Sequence, residues 1–387
     1  MPAKTVVAIS KVEQKIETAV IEAIHLAGGL DSIISRGDKI YLKPNFVAPR
    51  SAACGVTTNL EIIRVVAEEV RRCGGRPILY ETPAMEFDKK TVYDVLGIYD
   101  FAKQHGIHLI EGPQELKRIP IKGGKVFKSV KIPRILHRAK IINIPKLKTH
   151  VSAKMTCGMK NLIGLLPDSE KRRVHVRGIH PSIADINKVI QPVFSVVDAT
   201  TCMEGDGPTY GDAVELNLIL SGRDTVAVDK VCSGVVGVPW RDVGYLQLAD
   251  GRRPRQQIDT VGASIEDVKV HLKIPEKNAF YHLSTRMIHI LDVVFSKVSS
   301  QHLNQFLFGT GYFGTNPKIL KEMCNACGDC VKVCPVEKVI DIEIHKIYYN
   351  RCIRCLNCFF ACDRRAIAVG GFSRPDEHII EKSIGKT

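Results

Sequence analysis

What most constrains the folding of this chain is a pair of cysteine runs near its end: "CNACGDCVKVCP" beginning at Cys324 and "CIRCLNCFFACD" beginning at Cys352. Both space their thiols as C-x2-C-x2-C-x3-C, and together they take eight of the 13 cysteines. The spacer between them, "VEKVIDIEIHKIYYNR", has room for a short helix and a pair of strands. Structural zinc would call for four ligands in paired knuckles rather than two equal runs of four. Disulfides are disfavoured in a chain with no export signal.

Two equal runs of this spacing are the bacterial ferredoxin arrangement for two [4Fe-4S] clusters. The first three cysteines of a run hold one cubane and the fourth reaches across to the other. On that rule Cys324, Cys327, Cys330 and Cys362 bind one cluster, and Cys352, Cys355, Cys358 and Cys334 bind the second. Pro335 follows the first run as the motif expects, but Asp363 stands where the second proline should be. Proline there shapes a turn and supplies no ligand, so both clusters are still expected, with Asp363 acting on the potential or solvent access of the nearer one. Cys54, Cys73, Cys157, Cys202 and Cys232 are scattered and read as small buried hydrophobes.

At 387 residues and 45% hydrophobic composition the chain can bury a large core and is expected to form two domains or three. Charges recur every few residues of the opening "MPAKTVVAISKVEQKIE", unlike a signal peptide, and no run of about 18 uncharged apolar residues occurs. The stretch 287–313 is the most lipid-compatible, but Asp292, Lys297, His302 and Asn304 interrupt it, and it reads as a packing helix. The expectation is a soluble, cytoplasmic protein without a membrane span. The formal charge is +14, and from Lys321 onward 11 Lys/Arg nearly balance 9 Asp/Glu, so the excess lies in the larger preceding part. A body that basic calls for an acidic partner: a phosphate- or carboxylate-bearing ligand, nucleic acid or an acidic redox protein. Nucleic acid is disfavoured. The basic patches "SEKRRVHVRG" and "DGRRPRQQ" contain no interleaved aromatics on which bases could stack.

Up to about residue 270, strand-like runs alternate with helix-like ones. "TVVAIS" precedes an amphipathic helix over 12–26, "KIYLKP" one over 59–72, and "PILYE" one over 91–104, after which comes "HLIE". Then follow "KIINIP", a helix over 183–190, "FSVVDA", "LNLILSG" and a helix over 225–237, while "KGGKVFKSVKIP" reads as an added hairpin. This alternation implies an α/β fold, a mostly parallel sheet with helices on both faces, plus a small C-terminal ferredoxin-like α+β iron–sulfur domain. The expected divisions are 1–274 for the α/β body, 275–316 for a helical linker, 317–372 for the two-cluster unit and 373–387 for a tail.

In open α/β sheets, ligands gather outside the C-terminal strand ends. Here "KIYLKPNFV" ends in Lys43 and Asn45, "PILYETP" in Glu81, and "IINIPKLKTH" in Lys146, Lys148 and His150, the cations being read as one loop. "FSVVDATTCMEGDGPTYG" ends in Asp198, with Glu204 and Asp206 beyond, and Lys160 and Asn161 follow in "MKNLIG". Ammonium groups are strongly hydrated, so gathering Lys43, Lys146, Lys148 and Lys160 is unfavourable unless something neutralises them. A bound anion is one answer; pairing with Glu81, Asp198 and Glu204 is the other. Asn45 and Asn161 are candidates to orient a ligand or to cap helices. His150, Asp198 and Glu204 are the candidates for proton transfer. His175 and His180 read as a solvated loop and Asp224 as an N-cap. No Walker loop, GxGxxG fingerprint or GxSxG elbow is present.

Several of these segments resemble the family catalogued as "domain of unknown function 362". They are "KPNFV" with the following "GVTTN", the "PKLKTH" and "MKNLIGLLP" runs, "DATTCMEGDGPTYG", and "SGRDTVAVD" from Ser221 to Asp229. The match runs in order from about Val6 to Gly262. The resemblance implies an architecture, often joined to a ferredoxin-like C-terminus, with an iron–sulfur oxidoreductase role as its usual reading and no particular substrate. The expected function is an iron–sulfur oxidoreductase. It would relay single electrons through two [4Fe-4S] clusters to or from an anionic substrate or cofactor in the α/β body, with an electron donor or acceptor protein as partner. The alternative is a non-catalytic electron carrier or adaptor docking on a larger redox complex.

Overall fold

The structure, a computed structural model, describes residues 4–85, 87–251, 257–275, 316–349 and 351–370. These divide into two compact units, one of residues up to 84 and from 97 to 275, the other of 85–96 and from 316 onward. The expected body over 1–274 thus loses residues 85–96 to the second unit.

The first unit is built on strands β1 (Lys4–Lys11), β2 (Lys39–Lys43), β3 (Arg76–Leu79), β4 (His108–Leu109), β5 (Leu116–Pro120) and β6 (Ser129–Pro133). After these come β7 (Lys140–Asn143), β8 (Lys146–His150), β9 (Lys154–Thr156), β10 (Phe194–Glu204), β11 (Asp212–Gly222) and β12 (Gln257–Gly262). The main sheet runs β12-β1-β11-β10-β7-β2-β3-β4, with β8 pairing β10 and β9 off this path. Only β11 runs against its neighbours along the path. The mostly parallel α/β reading holds.

Strands covered on both faces should be apolar throughout, and β2 is buried from Ile40 to Lys43. Helices Ile16–Leu26 and Leu60–Arg72 pack on one face, where Ser221 Oγ donates to Ala23 O at 2.6 Å. On the other face lie helix Thr225–Val235, the helices between 158 and 186 and the β5–β6 hairpin, around two apolar clusters. The caps follow the sequence: Asn59 Oδ1 accepts from Glu61 N, and Asp224 accepts from Val226 N and Ala227 N. Three expectations need correction. Gly97, at φ 66, breaks the helix foreseen over 91–104 into Lys89–Val95 and Ile98–Gln104. The helix foreseen over 183–190 lies earlier, at Ile179–Ile186. The cations after Pro145, read as one loop from Lys146 to Lys160, are divided: Lys146, Lys148 and His150 stand on β8, Lys154 on β9 and Lys160 on the short helix Gly158–Asn161. Proline cannot donate to a ladder, so β7 stops pairing with β2, and the chain resumes as β8 beside β10, with Asp198 N donating to Pro145 O at 2.9 Å.

The second unit pairs β13 (Asn316–Ile319) with β16 (Ile367–Gly370), and β14 (Ile340–Asp341) with β15 (Lys346–Ile347), both antiparallel. Two four-residue helices, Asp329–Lys332 and Asn357–Phe360, follow the left-handed residues Gly328 and Leu356. This is the small α+β unit expected. The linker foreseen over 275–316, except its end residues, the packing helix over 287–313 and the tail 373–387 lie outside the described residues. No helix of the described residues is long and apolar enough to cross a membrane.

Candidate functional site

The parallel strands carry their polar ends to one place, and there the side chains interlock. Lys43 is fully buried and ion-paired with Glu81. Its Nζ also donates to Pro44 O at 2.6 Å and Asn161 Oδ1 at 3.3 Å. Asn161 returns the contact through Nδ2, which donates to Asn143 Oδ1 at 2.8 Å and Lys43 O at 3.1 Å. Burial pushes Lys43 below the usual lysine range, and Glu81 opposes that shift. A side chain on Gly164 would stand 2.7 Å from Glu81 Oε1 and 2.8 Å from Lys43 Nζ and would push on the pair over which the "MKNLIG" turn closes. One strand over, Lys146 Nζ meets Asp198 Oδ2 at 2.9 Å with neither side chain exposed. The same carboxylate accepts from Asn59 N at 2.8 Å and, through Oδ1, from Thr200 Oγ1 at 2.7 Å. Lys43 and Lys146 therefore have carboxylates of their own.

Lys148 does not. It is 1% exposed, its Nζ donates to Val56 O, and no carboxylate of the described residues forms an ion pair with it. Gly55 makes the Val56 contact possible: it sits at φ 68, and a Cβ there would lie 2.4 Å from Cys202 O. Burial first, and then Lys160, Lys146 and Arg50, push Lys148 far below the usual lysine range, with Glu81 opposing. His150 shares this field. Its Nδ1 accepts from Ser152 N at 3.0 Å and Ala153 N at 3.2 Å, which places the ring proton on Nε2. Burial, Lys160, His175, Lys148 and His180 hold it well below the ordinary imidazole range. A neutral His150 can donate a hydrogen bond from Nε2 but cannot act as an imidazolium acid. Arg50 is the residue sequence reasoning missed. Fully buried, it donates to Thr209 O and lies 4.5 Å over the Tyr210 ring. Nothing in "NFVAPR" sets it apart from a surface arginine.

Other candidates serve the framework or lie apart. Asp198 anchors a lysine and two loops. Glu204 turns to Lys273, 3.2 Å away, and accepts from its N–H at 3.0 Å; it is not brought to the lysines. Asn45 Oδ1 accepts from Val47 N within its own turn, and its N–H donates to Thr58 Oγ1. His180, expected in a solvated loop, stacks on Tyr245 from helix Ile179–Ile186. Of the scattered cysteines, all but Cys73 are buried.

In the second unit the eight cysteines, none of them in a disulfide, separate into two small cavities. Cys334, Cys352, Cys355 and Cys358 line the first of these, and Cys324, Cys327, Cys330 and Cys362 the second. Each run thus lends its fourth cysteine to the other's cavity. No three metal-binding side chains of the described residues close on a single point, as a zinc site would; the thiols ring a space instead. Burial and neighbouring cysteines push the Cys330 and Cys358 thiols up. Four thiolates in one cavity repel unless a cationic centre lies among them, and a polynuclear iron–sulfur core fits that requirement.

A family model described as "Domain of unknown function (DUF362)" matches residues 40–234, and one described as "4Fe-4S dicluster domain" matches 316–368. Among curated proteins, the thylakoid-associated protein sll1697 of Synechocystis sp. is 27% identical over 222 residues, which cover 54% of this chain and 66% of that protein. Among solved structures, the lactate racemase apoprotein of Thermoanaerobacterium thermosaccharolyticum is similar at a TM-score of 0.41 and 11% identity, over 60% of this chain and 57% of that one. That likeness is too remote to bear on fold or reaction. In both comparisons the chain spans less than two thirds of its counterpart.

Proposed function

Because this chain belongs to the family of the domain of unknown function DUF362 and carries a 4Fe-4S dicluster domain behind it, we propose that it is an iron–sulfur oxidoreductase acting on an anionic substrate or cofactor. Two [4Fe-4S] clusters, one on Cys324, Cys327, Cys330 and Cys362 and one on Cys334, Cys352, Cys355 and Cys358, supply one-electron transfer when bound. The α/β unit holds the anion. Lys148 carries this part of the reading: a buried amine beside Lys146, Lys160 and Arg50, with no ion pair among the described residues. An isolated buried cation is costly, and an arriving carboxylate or phosphate removes that cost by supplying the missing charge. Lys43 and Lys146 are already neutralised by Glu81 and Asp198, so they shape the floor while Lys148 meets the ligand. His150 offers its Nε2–H as a neutral donor. The donor or acceptor of electrons on the other side is a redox protein.

The test uses anaerobically reconstituted full-length protein, expected to hold about eight iron and eight sulfide. Phosphate, oxalate and 2-oxoglutarate are added in turn while thermal unfolding of the α/β unit is followed. At a hundredfold excess over Kd a bound anion contributes about 2.7 kcal/mol, a shift of several degrees. Lys148→Met is expected to fold and to lose that shift. If none of the three moves the transition, and an anaerobic pull-down recovers a stoichiometric redox partner instead, the protein is an adaptor and the oxidoreductase reading fails.

A further inference from the structure

We infer that the two cysteine cavities hold their iron–sulfur groups at different reduction potentials, and that the cavity of Cys324, Cys327, Cys330 and Cys362 takes the first electron. The inference rests on the two-cluster reading and adds an order to it.

The two runs form an internal repeat in which Cys324 answers to Cys352, so the residues around each cavity can be compared position by position. After the first cysteine of a run, Asn325 lines one cavity where Ile353 lines the other. Two residues after the last cysteine, Arg364 lines one where Val336 lines the other. Asp329 adds a further polar wall to the Cys324 cavity, whereas the lining of the Cys352 cavity is completed by Pro317, Val339 and Ile347; Arg354, which acts on Cys352 from outside that lining, is turned to Asn316 Oδ1 at 2.9 Å. Access to water differs in the same sense. Cys327 is exposed where its counterpart Cys355 is 7% exposed, while Cys330 and Cys358 are both buried.

Reduction adds one electron and makes or breaks no bond, so the centre with its four thiolates becomes more negative by one charge. An apolar cavity opposes added charge; an amide, a guanidinium and nearby water favour it. The Asp329 carboxylate works the other way, but it is partly exposed and paired with Lys332 at 2.8 Å, so its field is largely cancelled. The polar cavity is therefore the resting place of the first electron, and the apolar cavity the stronger reductant once both are filled.

The experiment is a potentiometric titration of the reconstituted full-length protein with dithionite and mediators, read by the electron paramagnetic resonance of the reduced centres. Two one-electron steps are expected, the first site favoured at least tenfold, about 59 mV for one electron. Arg364→Val is expected to lower the upper step and leave the lower one in place; Val336→Arg is expected to raise the lower step. Asn325→Ile gives a second, uncharged route to the upper step should Arg364→Val fail to take up iron. Full iron with a single step, or Arg364→Val or Asn325→Ile moving the lower step, overturns the inference. An iron content near four, or zinc in its place, overturns the two-cluster reading beneath it.

Discussion

Asp198 accepts four hydrogen bonds in a place water does not reach: from Lys146 Nζ, Asn59 N, Thr200 N and Thr200 Oγ1. Removing one partner of a buried ion pair strands the other, at a cost of about 3–5 kcal/mol. Asp198→Ala is therefore expected to lower the unfolding free energy obtained from a urea titration by an amount in that range, and Asp198→Asn by clearly less, since the amide oxygen keeps part of the acceptor set. Equal small losses for both would show that the residue is not an anchor and would restore it as a candidate for proton transfer. The sequence shows why this was hard to foresee. Four lysines after strand ends were visible as a gathering, and burial of three of them follows from their place at the sheet. Which lysine has a carboxylate depends on how β8 registers on β10 and how "MKNLIG" folds back on β2, and no spacing along the chain encodes that. Arg50 was invisible for the same reason.

Strand β8 is the element that the proline concealed. "KLKTH" has too many charges to read as a buried strand, yet all five residues are buried, because Lys146 reaches the Asp198 carboxylate and Lys148 the Val56 carbonyl rather than water. The cysteine-rich unit was the opposite case: its spacing dictated which thiol crosses to which cavity. Helix Thr225–Val235 supplies the tie that holds the turn after β9. Asp229, on its inner face, accepts from Gly158 N at 2.7 Å and Met159 N at 3.0 Å. Burial outweighs these donors and pushes the Asp229 carboxyl up to about 7 from 3.8. The folded state thus binds this proton more tightly than the unfolded chain does. The resulting stability is complete below the unfolded value of 3.8 and is lost as pH rises through about 7. Between pH 5.5 and 7.5 the loss amounts to about 2 kcal/mol. Asp229→Asn cannot titrate, so the stability of the variant relative to the parent is expected to improve by that amount over the same window. A difference that stays flat with pH would place the Asp229 ionisation elsewhere.

At the scale of the whole molecule the two units differ in what keeps them folded. The first has two extensive apolar clusters on one face of a long sheet and buried residues such as Ile24, Ile62 and Val66 of the helices on the other. Among the described residues the second has a core of Ile319, Val339, Ile340, Ile347 and Ile367, filled out by the cysteines themselves. A core that small does not offset the chain entropy of its segment, so the energy of metal binding is also folding energy there. Stripping the clusters with ferricyanide and a chelator is expected to open the segment 316–370 to protease, while a resistant fragment covering the α/β sheet survives and keeps its response to anions. The outcome separates the two halves of the functional reading. A 316–370 segment that stays resistant after complete loss of iron would mean that the thiols do not depend on a metal centre for their arrangement. An anion response that vanishes with the iron would move the binding site away from Lys148.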